Sequence, residues 1–394
     1  MTATQINRGT VPTLTILVAM TAFTIDVSLP AFPAISEAMG IPSGRTHLMI
    51  SAYFISYALA QLPLGFLSER VGRLPTLYLG LAVFIAGGAM ATFADSLETL
   101  LLGRFIQGLG GGVGPVVARA IARDISSGRE LNRMMSLLVS ALAVSTIVAP
   151  IIGSLLITWL PWSSTLAASV LLGLLCLPLV YFFVPETSGT HARADGNFLV
   201  HCRQFFQHRT AVACAAMVAL LFFGYMSFIA SFGTIIADQF GRPPSEIGWY
   251  FAAFVCFYLM ASSLSRRLHG TENDGRLLDV ACLLLLVSVT LFALVYLEVL
   301  PVVAGLAAGM ISFLFAKGLM FGLLGAHVLK DLPGIAGTAA GIMGTMQTFA
   351  GFAGSATSAA LYRGNASSTV AILCVASALM ILTYVLNRKS INGP

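Results

Sequence analysis

Gly65-Phe66-Leu67-Ser68-Glu69-Arg70-Val71-Gly72-Arg73-Leu74-Pro75 decides the fold, because of what lies on either side of it. Continuous apolar runs at 47–67 and 74–94 flank this short charged stretch. A helix needs about 20 apolar residues to cross the hydrocarbon core of a bilayer. The stretch therefore reads as a tight turn between two antiparallel membrane spans. Gly72 permits the turn, Gly65 lets a neighbouring helix come close, and Glu69, Arg70 and Arg73 are placed to form a charged network at the membrane surface.

Outward from this turn the same pattern continues. Runs at 11–35, 47–67, 74–94, 99–121, 134–158, 163–184, 211–237, 246–264, 277–297, 301–325, 335–361 and 368–387 give twelve spans. Only 9% of the chain is charged, 57% is hydrophobic, and mean hydropathy is +0.90. A soluble domain carries about 25% charged residues to present a wet surface. In lipid the backbone must satisfy its own hydrogen bonds, which leaves helices or a closed barrel. Barrel strands alternate over about ten residues, whereas these runs are longer and unbroken, so an all-α membrane protein is expected.

Charge orients it. With the N-terminus in the cytoplasm, sixteen of the 21 Lys and Arg fall in cytoplasmic segments and three (Arg45, Arg242, Arg363) in external loops. Arg104 and Lys317 lie inside runs. The bias obeys the positive-inside rule, and an odd number of spans would invert every later loop and destroy it. Both termini are expected in the cytoplasm. The net charge of +5 then reflects topology, not a nucleic-acid partner.

The longest hydrophilic stretch, 185–209, separates two groups of six runs. It divides the chain into an N-terminal bundle (1–186), a cytoplasmic linker (187–210) and a C-terminal bundle (211–394), and its segment FLVHCRQFFQHR (198–209) suits a short surface helix. At an offset of 197, Tyr53-Phe54 aligns with Tyr250-Phe251, Leu67-Ser68 with Leu264-Ser265, and Arg70 with Arg267. A same-direction repeat of six spans implies pseudo-symmetric halves related by an axis along the membrane normal, with a ligand site between them.

Several chemistries lack their signatures. The run at 11–35 is too long for a signal-peptide core. The six cysteines (Cys176, Cys202, Cys214, Cys256, Cys282, Cys374) form no C-x-x-C pair and read as small apolar fillers. The histidines (His47, His191, His201, His208, His269, His327) sit in loops or at run ends without metal spacing, so no metal site is expected. There is no H-E-x-x-H and no P-loop, which argues against an integral membrane enzyme and against ATP-driven transport.

The turn at Gly65–Pro75 resembles the G-x-x-x-D-R-x-G-R-[RK] loop of the major facilitator superfamily, with Glu69 in place of the usual Asp and Leu74 in place of a basic residue. Asp26-Val27-Ser28-Leu29-Pro30-Ala31-Phe32-Pro33 is similar to the D-x-x-L-P-x-x-P pattern of twelve-span drug:proton antiporters. Arg104-Phe105-Ile106-Gln107-Gly108 resembles the R-x-x-Q-G motif linked to proton coupling, and Ala149-Pro150-Ile151-Ile152-Gly153-Ser154 a softened antiporter motif G-P-x-x-G-G. With Ser245-Glu246-Ile247-Gly248 and the small-residue run from Gly334 to Gly344, the chain resembles the bicyclomycin/chloramphenicol-resistance branch.

That resemblance implies a twelve-helix fold of two six-helix bundles. It further implies a monomer in the bacterial inner membrane that exports small amphipathic compounds, such as phenicols or bicyclomycin, by proton antiport and alternating access. No cofactor is expected, the proton motive force being the drive. A siderophore or metabolite exporter is the alternative. Ser28 stands where the resistance branch often has Tyr.

The residues expected to carry this mechanism follow. Asp26 is a carboxylate inside an apolar run, where burial raises the pKa and marks an ion pathway. Arg104 stays charged at working pH and suits a counter-charge. Lys317 can pair with an acidic substrate or with Asp26, or reach out to water along its stem. Phe23, Tyr53, Tyr57, Gln61, Phe223, Phe228, Phe254, Phe257 and Gln347 are candidates for an apolar pocket with few polar anchors. Gly65, Glu69, Arg70, Gly72 and Arg73, supported by Asp124, form the candidate gating loop, and Ala149, Pro150 and Gly153 the antiporter helix.

Overall fold

The computed structural model describes residues 8–187, 198–268, 273–332 and 335–392. His191, Arg193, His269, Gly334 and much of the expected linker lie outside the described residues. All regular structure among the described residues is helical. The N-terminal helices are α1 (Thr10–Asp26), α2 (Phe32–Met39), α3 (Ser43–Thr46), α4 (Leu48–Arg70), α5 (Arg73–Thr92), α6 (Leu97–Gly111), α7 (Val113–Ile125), α8 (Gly128–Trp159) and α9 (Ser163–Phe183). There follow α10 (Phe198–Gln207), α11 (Arg209–Asp238), α12 (Pro244–Leu268), α13 (Asp274–Tyr296), α14 (Val302–Asp331), α15 (Ala336–Leu361) and α16 (Ser367–Asn392).

Two of the expected spans are broken, and proline explains both. A proline cannot donate to the carbonyl four residues before it, and its ring clashes there. Pro30 disables the carbonyl of Asp26, and α1 ends at Asp26. A three-residue 3-10 turn, Leu29–Ala31, then leads into α2, which carries Pro33 in its first turn where no donor is needed. Pro115 stands in the same relation to Gly111, the last residue of α6. The expected continuous spans at 11–35 and 99–121 are thus helix pairs. Pro63, Pro150 and Pro178 instead lie inside unbroken helices.

Eleven segments among the described residues are long and apolar enough to cross a membrane. The remaining expected run forms α15, which at 26 residues is long enough. Its sequence, rich in Gly, Ala, Ser and Thr, is less apolar than the others. Large apolar side chains on α9, α13 and α16, including Leu171, Phe182, Leu283, Leu286, Leu382 and Val385, are exposed. So much bare hydrocarbon suits lipid and not water.

The chain forms two compact units, Met1–Ala194 with Arg242–Ala252, and Asp195–Gly241 with Ala253–Pro394. The first packs Leu14, Leu17, Phe84, Val113, Val117 and Val180 into its core. In the second, α11 is buried along most of its length, against α14, α15 and α16.

Candidate functional site

The polar centre of the first unit is built on α6. Leu100, Gly103, Arg104, Gln107 and Gly108 share its buried face, and Arg104 and Gln107 are both completely buried. The Arg104 guanidinium donates from Nη1 to the carbonyl of Thr24 on α1 at 3.3 Å and to Oε1 of Gln107 at 2.9 Å. Gln107 in turn donates to Ser169 Oγ on α9 at 2.9 Å, and Ser169 donates to the Leu166 carbonyl at 2.7 Å. The guanidinium also lies over the Tyr53 ring of α4, 5.1 Å from its centroid. Tyr53 stacks with Tyr57, centroids 6.3 Å apart. One cation thereby ties α1, α4, α6 and α9 together. Its Nε and Nη2, and the Tyr53 hydroxyl, are buried and make no hydrogen bond among the described residues.

Asp26 is the last residue of α1, two positions after the carbonyl that Arg104 holds, and is 5% exposed. The chain just beyond it packs on α8. A side chain at Gly153 would strike the carbonyl of Val27, and Ser145 donates to the Ala19 carbonyl at 3.0 Å. Ala149 is fully buried on the same helix beside Pro150. Ser154 accepts from the amide of Gly248 at 2.8 Å and donates to the Pro244 carbonyl at 3.3 Å, both residues belonging to the first unit. Of the pocket candidates in this unit, Tyr53 and Tyr57 are buried, while Phe23 and Gln61 are half-buried.

The loop between α4 and α5 is held by carboxylates from elsewhere. Arg73 forms a two-pronged pair with Asp124, at 2.9 Å from Nε and 3.4 Å from Nη2, and donates from Nη1 to Ser68 Oγ at 2.8 Å. Both side chains of the ion pair are largely covered, 12% and 8% exposed. Glu186 accepts from the amides of Arg73 and Leu74, each at 2.9 Å, and so caps the start of α5. Thr187 completes the network with a 2.7 Å bond to Asp124. Gly72 has φ +117°, a backbone conformation that disfavours other residues. Gly65 is half-buried, Glu69 and Arg70 are exposed, and the Arg70 guanidinium covers the Phe66 ring at 4.2 Å.

In the second unit, Lys317 on α14 is 5% exposed and faces three rings. Its ammonium lies 3.1 Å from the Tyr225 ring centroid, 5.0 Å from Tyr258 and 5.6 Å from Phe222. Phe228 and Phe254 meet with Phe232 in a cluster of edge and tilted contacts, centroids 5.0 to 5.8 Å apart. Phe223, Phe257 and Gln347 are half-buried.

The sequence reading passed over Glu186, Gln107, Ser169 and Tyr258 as site residues. An acid directly after Pro185, where the sixth apolar run ends, was a usable signal for Glu186. Gln107 lay inside a motif already quoted. Nothing in the sequence singles out Ser169 from its neighbours.

The description of the Major Facilitator Superfamily matches residues 14–355. The chain belongs to this superfamily. It is therefore a membrane transporter and not an enzyme. Among curated superfamily relatives it is 24% identical over 378 residues to a bicyclomycin resistance protein homolog of Haemophilus influenzae, covering 94% of each chain. It is 25% identical over 383 residues to multidrug resistance protein D of Escherichia coli, covering 96% of each. Its fold matches that of the xylose transporter of E. coli with a TM-score of 0.74 at 13% identity, over 96% of this chain and 97% of that one. A bacterial homolog of the human lysosomal transporter Spinster gives 0.73 at 14% identity, over 97% and 95%.

Proposed function

We propose that this transporter is a proton-coupled antiporter that exports small amphipathic compounds by alternating access. The observation that carries the reading is Asp26, a buried carboxylate at a proline-forced helix end, in the same bundle as a buried arginine. Protonated, Asp26 is tolerated in a low-dielectric interior. Ionised, it needs positive charge or donors nearby. Arg104 supplies a permanent charge and holds the adjacent turn of α1 through the Thr24 carbonyl. Its remaining buried donors are suited to an anionic partner. A proton taken up at one face and released at the other then drives export without a cofactor.

Relatives named for bicyclomycin and multidrug resistance support amphipathic drugs as cargo. In this reading the chain crosses the bacterial inner membrane twelve times, keeps both termini in the cytoplasm and works as a monomer. The test is Asp26→Asn in proteoliposomes. Insertion and substrate exchange are expected to persist, while transport driven by a pH gradient is lost because an amide cannot cycle a proton. Substrate-driven proton release at the wild-type rate would remove Asp26 from the mechanism.

A further inference from the structure

Ser154 on α8 has no part in the proton-coupling scheme, and its hydroxyl is placed in the backbone of another helix. In an α-helix each amide pairs with the carbonyl four residues before it. For the amide of Gly248 in α12 that carbonyl belongs to Pro244. Here the two groups meet through Ser154: the Gly248 amide donates to Ser154 Oγ at 2.8 Å, and Ser154 donates to the Pro244 carbonyl at 3.3 Å. A side chain from α8 is thus inserted into the first turn of α12. The antiporter pattern G-P-x-x-G-G ends in glycine at this position, which has no hydroxyl to insert.

The crossing around the hydroxyl is closely packed. Ser154 is 1% exposed, and a side chain at Gly248 would strike the Pro150 carbonyl. α8 is held from its other side as well, where Gly153 abuts the Val27 carbonyl and Ser145 bonds that of Ala19. α12 is divided: Arg242–Ala252 belongs to the first unit, and the helix from Ala253 onward to the second. A shift of α12 relative to α8 is therefore taken up at this crossing. The inserted hydroxyl makes such a shift reversible. With α12 moved away, the Gly248 amide can pair directly with the Pro244 carbonyl, and Ser154 can turn back to the Pro150 carbonyl of its own helix. With α12 in place the hydroxyl is needed, because without it a buried donor and a buried acceptor face a gap.

We propose that Ser154 is a positioning residue of the transport cycle, a clasp that holds the start of α12 on α8 in one phase and releases it in the other. In the proposed topology both segments lie toward the external side, so the clasp favours the externally closed state. Its hydroxyl acts on one state only: it completes the first turn of α12 when the helices are together and is dispensable when they part. The proposal rests on the alternating-access reading and names one residue that sets the balance of its two states.

The test is a spin-label distance measurement on the full-length protein in lipid nanodiscs, without substrate or gradient. Labels replace Leu160, just past the end of α8, and Arg363, between α15 and α16, both exposed. Ser154→Ala and Ser154→Gly are each expected to raise the share of the longer distance relative to the shorter by about five-fold, the size of one net hydrogen bond. Thr158→Ala is the control. Its hydroxyl lies one turn further along α8 but bonds only its own helix, at the Ser154 carbonyl, and its removal is expected to leave the distribution as in the wild type. An unchanged distribution in the Ser154 variants overturns the proposal, as does an equal shift in Thr158→Ala. Ser154→Gly introduces the residue that the antiporter pattern carries here, so it decides the matter even where Ser154→Ala fails to insert. Because no gradient is involved, failure here leaves Asp26 coupling standing, and wild-type proton release from Asp26→Asn leaves the clasp to be judged by the distances.

Discussion

Arg104 shows why residue identity matters at this site beyond charge. Its planar fork bonds Thr24 and Gln107 from one nitrogen while its face rests on Tyr53. Lysine keeps the charge but offers a compact ammonium with neither the fork nor the face. Hydrogen bonds to charged groups contribute about 1.5–3 kcal/mol each. Arg104→Lys is therefore expected to lower gradient-driven transport by about ten-fold or more while the protein still inserts, as read by flux per mole of protein in proteoliposomes. Tyr53→Phe should behave differently. The Tyr53 hydroxyl is buried without a hydrogen bond, and Thr21 directs its own hydroxyl to the Gly111 carbonyl at 3.2 Å. Removing an unsatisfied polar group while keeping the ring is expected to leave thermal stability unchanged or slightly raised. A clear loss of melting temperature would show that the hydroxyl has a partner.

Helix ends and seams carry the next level of argument. The stop of α1 at Asp26 and of α6 at Gly111 was legible from Pro30 and Pro115, since each proline disables the carbonyl four residues back. The sequence reading took both spans as continuous because hydropathy does not register a broken backbone. The loop was legible in part. Gly72 and Arg73 announce a turn, but Arg73 bonds acids that lie 51 and 113 positions away, and local spacing cannot find those. That Phe222, Tyr225 and Tyr258 converge on Lys317 was hidden for the same reason, as aromatic residues abound in the chain and only packing brings these three together.

Two predictions belong at this scale. Asp124→Asn leaves Arg73 largely covered and uncompensated, at a cost of about 3–5 kcal/mol. Glu186→Gln removes only an exposed charge at a helix start, worth about 0.3–1 kcal/mol. Asp124→Asn is expected to lower the melting temperature of the purified protein by the larger step, and the reverse order would refute the assigned roles. At the α1–α8 seam, Gly153→Val drives a side chain into the Val27 carbonyl, and overpacking of this kind costs about 1–3 kcal/mol. The expected result is reduced transport, with Gly153→Ala milder than Gly153→Val.

At the scale of the whole molecule, the number of membrane crossings rests on α15. Among the described residues eleven segments are apolar enough to cross by themselves, and α15 is not one of them. Its Gly, Ala and Ser residues suit close helix packing instead. Gly354 admits the Phe223 backbone, and α15 packs extensively on α11. The proposed twelve crossings therefore require α15 to be held in the membrane by its neighbour rather than by its own hydropathy. Were it left outside the bilayer, α16 would run the opposite way and carry Arg388 and Lys389 to the external side, against the positive-inside rule. A green fluorescent protein fused at the C-terminus is expected to fluoresce, and alkaline phosphatase fused after Arg363 to be active. Substituting Gly354 with Val removes the packing that holds α15, so it should reduce C-terminal fluorescence. Replacing lipid-facing small residues of α15 with Leu adds about 0.6 kcal/mol of insertion energy per site and should restore it. A dark C-terminal fusion in the wild type would mean an odd number of crossings.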